Sequence, residues 1–142
     1  MRKLLVPIDG SDSANRALEH AIGLARDPGG AELVLLHVHP EPIIYGEIQV
    51  YVPPQRVQQL QDRHSHDILL PAAERTRAGL VPHTSVVVAG DAATEIAKAA
   101  EVLGCAGIVM GTRGMSPIGN LLLGSVASKV VHLAHVPVTL VK

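Results

Sequence analysis

A chain of 142 residues with 12 basic and 13 acidic side chains and a net charge of -1 has no broad cationic surface to neutralise phosphates, which argues against nucleic acid as a partner. Two tyrosines, with no phenylalanine or tryptophan, leave no aromatic platform for stacking single-stranded bases, so any bound base must sit between aliphatic side chains. The apolar run Leu4 to Ile8 is too short for a signal segment, and no stretch approaches the roughly 20 apolar residues of a membrane span; the reading is a cytoplasmic protein with no membrane partner. The length fits one domain over residues 1–142, which at this size buries about 68 to 70% of its unfolded surface.

Lys3 to Ile8 is short, apolar and partly β-branched, and it ends at Pro7-Ile8-Asp9-Gly10. It reads as a buried strand that delivers Asp9 to its carboxyl end. Ser11, Asp12 and Ser13 then offer N-caps, and Ala14, Ala17, Leu18, Ala21, Leu24 and Ala25 recur at helical spacing. Pro28-Gly29-Gly30 stops that helix, and Glu32 to Val38 supplies a second buried strand.

Between His39 and Pro54 the periodicity fails: four prolines, a glycine, both tyrosines and several aliphatic residues share one irregular segment. A loop this long in a compact domain is usually functional or mobile. It reads either as a flap over a site or as a surface excursion or association patch. Gln55 to Arg77 is helical, with Val57, Leu60, His64, Ile68 and Ala72 near one stripe. His64 and His66 are two apart and diverge on a helix, so a structural or surface role is expected rather than a metal pair. The same holds for His20, His83, His132 and His135, while eight histidines in all imply buffering and some pH sensitivity.

His83 to Ala89 is a third strand. Gly90-Asp91-Ala92 opens a helix with Ile96, Ala97, Ala100 and Leu103 on its apolar face, closed by Gly104. The lone Cys105 rules out an internal disulfide, fits a reducing compartment and reads as a small buried residue leading into the fourth strand, Ile108 to Met110. Val126 to Ala134 is the last helix and Val138 to Val141 the final strand. Strict alternation of strand and helix predicts an α/β fold, a doubly wound parallel sheet with helices on both faces. Ligands of such sheets bind beyond the carboxyl ends of strands, where the winding direction reverses.

The chemistry-bearing stretch is Gly107 to Leu133. The fourth strand breaks into Gly111-Thr112-Arg113-Gly114, and nine residues later Gly124-Ser125 opens a helix. Glycine accepts positive φ and lacks a Cβ, so backbone N–H groups there can lie directly against a ligand. The unpartnered N–H groups of the helix start and its dipole favour an anion by roughly 0.3 to 1 kcal/mol. Nine residues span at most about 30 Å, slack enough to double back and bring both glycine turns onto one polyphosphate. Ser125 is a helix cap or a phosphate donor, and Arg113 reaches either a phosphate or solvent.

Gly111-x-x-Gly114, nine residues, then Gly124-Ser125, between a strand and a helix, resembles the nucleotide-binding signature of the ATP-binding members of the universal stress protein family. The resemblance runs the length of the chain: Val6-Pro7-Ile8-Asp9-Gly10-Ser11 looks like the family's first strand and turn, Leu35-Leu36-His37-Val38 like its second strand, Gly90-Asp91 like the start of its third crossover, and Pro137 to Lys142 like its closing strand. It implies a Rossmann-like five-stranded sheet of order 3-2-1-4-5 and a homodimer formed through Val138–Val141. It also implies ATP as ligand, with Pro7, Ile8 and Asp9 at the adenine and ribose, Val38 on the base, Met110 and Gly111 as the opposite wall, and Gly114, Gly124, Ser125 and Val126 at the phosphates. Val38, Ile8 and Met110 are suited to sandwich a purine by dispersion, and an ionised Asp9 accepts from ribose hydroxyls unless it is only a turn residue. Cys105-Ala106-Gly107 stands where the family often has an Asp and a large apolar residue, which predicts looser packing there.

No G-x-x-x-x-G-K-[ST] or G-x-G-x-x-G occurs, and no general base is evident near the loop. Binding is therefore favoured over catalysis, with any Mg or Mn held mainly by phosphate oxygens and water. The competing readings are a weak ATPase or nucleotidyl-transfer enzyme on the same fold, and a dimeric interaction module that needs no ligand.

Overall fold

The computed structural model describes residues 2–40, 54–113 and 123–142, with side chains of the second helix described from Asp62 onward. Elements follow in the order β1 (Arg2–Pro7), α1 (Asp12–Arg26), β2 (Ala31–His39), α2 (Pro54–Ala78), β3 (His83–Ala89), α3 (Ala92–Val102), β4 (Gly107–Gly111), α4 (Ser125–Leu133) and β5 (Val138–Val141). The five strands form one sheet of order β3-β2-β1-β4-β5, and every pairing is parallel. The expected order 3-2-1-4-5 is thus observed, with the reversal of winding between β1 and β4. The loop residues 41–53 and the glycine-loop residues 114–122, Gly114 included, lie outside the described residues.

Two apolar layers follow from the two-residue alternation of strand side chains. On one face Leu4, Val6, Leu33 and Leu35 pack with Ala17, Leu18 and Ala21 of α1 and with Leu69 and Ala72 of α2. On the other, Leu5, Val34, Leu36, Ile108 and Met110 pack with Ile96 and Ala100 of α3 and with Ala127 and Val130 of α4. Central strands covered on both faces cannot alternate apolar and polar residues, which is why Leu33 to Leu36 are all buried. Edge strands β3 and β5 are intermediate to exposed along their length instead, with Val87 and Leu140 exposed. β5 is further held by the Arg16 side chain of α1, whose Nε donates to the Lys142 carbonyl at 2.9 Å.

Helix α2 contains Pro71, a residue that removes one helical N–H and typically costs about 3 kcal/mol inside a helix. Burial of Leu69, Ala72 and Thr76 on the sheet offsets that cost. The looser packing expected before β4 is not found. Cys105 is buried, and a Cβ at Gly107 would stand 3.4 Å from the Pro137 carbonyl and 3.6 Å from Leu4 Cδ2.

Leu35 is fully buried at 0% exposure in the α1–α2 layer. Leu35→Ala is expected to lower the unfolding free energy by about 2–5 kcal/mol in a urea titration, the range for an unrelaxed aliphatic cavity. A loss well under 1 kcal/mol would contradict the described packing.

Candidate functional site

The site begins with the turn that follows β1. Ile8 extends the sheet by one bond, its N–H donating to the Leu36 carbonyl at 2.7 Å. Gly10 then takes φ +85°, a left-handed conformation that glycine adopts at little cost. The turn is locked by Asp9, whose Oδ1 accepts from the Ser11 N–H at 2.9 Å and the Ser11 hydroxyl at 2.5 Å. Ser11 in turn caps α1, accepting from the Ala14 N–H at 3.1 Å. Asp9 is therefore a turn residue and also faces the cavity described below, so the two sequence readings of it are compatible.

The glycines of the signature work differently from expectation. Gly111 is not in the left-handed region, and Gly124 has φ −68°, so positive φ explains neither. At Gly111 the missing Cβ matters: one added there would come within 2.8 Å of the Ser13 carbonyl carbon and 2.9 Å of Ser13 Cβ. The first turn of α1 is packed against the end of β4, and only glycine leaves room. The chain does double back after β4. The Thr112 N–H donates to the Val141 carbonyl at 3.1 Å, and the Gly124 N–H donates to the Thr112 carbonyl at 2.5 Å. Residues on either side of the glycine loop are thereby fastened together.

A cavity of about 170 Å³ opens at these strand ends. Its lining includes Pro7, Ile8, Asp9, Val38, Met110, Gly111, Arg113, Gly124, Ser125 and Val126, so the structure assembles every described residue of the expected set around one space. Leu36, Ala92, Ile96 and Ala127 also line it and had not been singled out. Ile96 was legible only as core, because its helical spacing shows an apolar face without showing what that face meets. Among the described residues the walls are mainly aliphatic, with His37 also contributing to the lining.

One boundary of the cavity is polar. Helices α1 and α3 begin with side-chain caps, Ser11 and Asp91. At α4 the N-cap is Gly124, and among the described residues no side-chain cap bond is made. Ser125 is the first helical residue, so its hydroxyl does not cap the helix. The N–H groups that Ser125, Val126 and Ala127 contribute are those a helix leaves without internal partners, and all three residues line the cavity. Nearby, Asp91 ties α3 to α4: it accepts from the Thr94 N–H at 3.1 Å, the Thr94 hydroxyl at 2.7 Å and the Lys129 ammonium at 3.0 Å. Those donors, Thr94 foremost, hold its pKa down to about 2. The Asp91–Lys129 pair is half exposed and contributes modestly, as surface pairs do.

The chain is thus an α/β protein, a Rossmann-like sheet with a largely aliphatic pocket at its reversal point and a helix start on the rim. The profile of the Universal stress protein family matches residues 1–142, and the chain belongs to that family. It is 35% identical over 146 residues to universal stress protein YxiE of Bacillus subtilis, covering 99% of this chain and 98% of the relative. The fold is similar to that of hypothetical protein MJ0577, with a TM-score of 0.85, 28% identity, and 99% and 95% of the two chains covered. It is also similar to a universal stress protein in complex with cAMP (TM-score 0.75, 22% identity, 99% and 97% covered) and to one from Archaeoglobus fulgidus in complex with dAMP (0.73, 21%, 100% and 98%).

Because Gly111 accommodates backbone and not ligand alone, Gly111→Ala is expected to destabilise the ligand-free protein by about 1–3 kcal/mol, the usual cost of overpacking. Chemical denaturation without nucleotide measures it. An unchanged midpoint, with only ligand binding impaired, would show that the Ser13 contact yields freely.

Proposed function

We propose that this chain is an ATP-binding regulatory protein of the stress response, with little or slow hydrolysis. The observation that carries the reading is the α4 start, which no side chain caps among the described residues and which opens onto a largely aliphatic pocket at the sheet's reversal point. An apolar slot beside a row of unpartnered N–H groups suits a ligand with a flat apolar base at one end and an anion at the other. The cAMP and dAMP complexes of the two similar proteins favour adenine as the base.

In this reading Val38 and Met110 enclose the adenine, Pro7 and Ile8 complete its edge, and Asp9 accepts from the ribose. Gly111 forms the wall behind it. Gly114, Gly124, Ser125 and Val126 hold the phosphates, with Arg113 adding positive charge, and Mg or Mn would be held by phosphate oxygens and water. Main-chain donors need no catalytic base beside them, which favours retention over turnover. The protein acts as one cytoplasmic domain and pairs through the free edge of Val138–Val141, a strand whose unpaired backbone suits two-fold addition.

Calorimetry of nucleotide-free protein is expected to show saturable heat with ATP. Val38→Asp should weaken binding at least about tenfold by placing a charge against the base. Ser125→Ala should cost roughly 0.5–1.5 kcal/mol if its hydroxyl bonds the phosphates. No heat at millimolar ATP would overturn the reading, and a monomer by light scattering with and without ATP would remove the dimer.

A further inference from the structure

On the sheet face opposite the base-binding layer, at the same strand ends, three imidazoles meet. His37 and His39 are two apart on β2 and so project to one side, and α2 lays His64 against both. The ring centroids are 5.9 Å apart for His37 and His39, 6.1 Å for His37 and His64, and 5.7 Å for His39 and His64, all edge-on. His37 Nδ1 lies 2.8 Å from the Ile8 carbonyl, and His39 Nδ1 lies 3.2 Å from the Pro40 carbonyl. A carbonyl only accepts, so each Nδ1 carries the proton and each Nε2 of the neutral ring carries a lone pair. Both Nε2 atoms are buried with no partner among the described residues. His37 is only 5% exposed, whereas His64 is on the exposed side.

We propose that these three histidines are an acid-sensitive latch between α2 and the carboxyl end of β2: neutral they pack, and on protonation they part α2 from the sheet. The neutral trio is tolerable because an unpartnered lone pair is cheaper to bury than an unpartnered N–H carrying a charge. A proton on His37 creates that buried donor and charge beside two more imidazoles. Burial is the main reason the His37 pKa lies below 6.5; the Ile8 carbonyl opposes the shift, His39 and His64 add to it, and Asp9 opposes it. At this position β3 presents Val87, which carries no charge, and among the described residues no charged side chain of α1 or β3 adds to these influences.

The consequence for stability has a definite direction. The unfolded or opened segment takes up its proton near 6.5, and the closed one only at lower pH. The closed state is thus fully favoured above 6.5 and loses ground as pH falls toward the depressed folded value. The strain is relieved most readily at α2. His64 is the exposed member, the strand pairings of β2 need not break, and Ser65 beside it already buries a hydroxyl with no partner. Among the described residues no three His, Cys, Asp or Glu side chains are set to hold a metal ion, so the chemistry assigned to the trio is proton uptake.

Hydrogen exchange on the full chain at about pH 7.5 and 5.5, corrected for intrinsic rates, tests the latch. Protection of the α2 amides is expected to fall by up to about tenfold between these two pH values, the ceiling for one imidazole that titrates near 6.5 in the open state, while β4 and β5 keep theirs. His37→Asn, whose amide donates to the Ile8 carbonyl but does not ionise, should flatten that response. His64→Gln should reduce it, and His132→Gln, on an exposed face of α4, should leave it intact. Equal acid loss in the natural chain and in His37→Asn would overturn the proposal. Should His37→Asn not fold, NMR titration of the natural chain decides: a His37 midpoint below 6.5 supports the latch, and one at or above 6.5 refutes it.

Discussion

The contact between Ser13 and Gly111 is the constraint from which the architecture at the strand ends follows. A helix whose first turn rests on a strand terminus can come that close only if the strand residue has no side chain, and here the approach leaves no room for a Cβ. With α1 seated there, the turn after β1 must be tight, which Gly10 and the Asp9–Ser11 bonds provide. Beyond β4, Thr112 bonds to Val141 and to Gly124, which sets the start of α4 beside the end of β4. The hollow at the reversal of winding lies between these two exits.

The two faces of the sheet carry different chemistry at the same end. On one side the pocket walls are aliphatic and the polarity comes from backbone. On the other, polar side chains are buried among α2 and β2 with part of their hydrogen-bonding capacity unused. Both rely on strand ends staying in register, since Ile8 donates its N–H to Leu36 and accepts at its carbonyl from His37. One residue thereby joins the pocket wall to the histidine layer.

Much of this was legible from residue order. Alternation of apolar strands with helical periodicity, Pro28-Gly29-Gly30 as a stop and the Gly111-to-Ser125 spacing define the elements and the end of the sheet where the site lies. What residue order did not disclose are contacts between distant segments. Ser13 and Gly111 are far apart in the chain, so the glycine was read as a ligand contact when it is first a packing necessity. His37, His39 and His64 belong to separate elements, and helical spacing in α2 does not reveal which strand its His64 will touch. Pro71 passes unnoticed inside a helix because tertiary burial overrides local propensity. Ser125 could not be separated from a cap by sequence alone, since the assignment turns on whether the helix starts at residue 125 or 126.

Helix α1 is anchored at two points to the half of the sheet that follows the reversal: Ser13 against Gly111 at the pocket, and Arg16 on the carbonyl of Lys142 beyond β5. The anchors lie within a single turn of one helix, which behaves as a stiff rod on that length scale. A displacement of its first turn from within the hollow would therefore bear at once on the end of β4 and on the residue that follows β5.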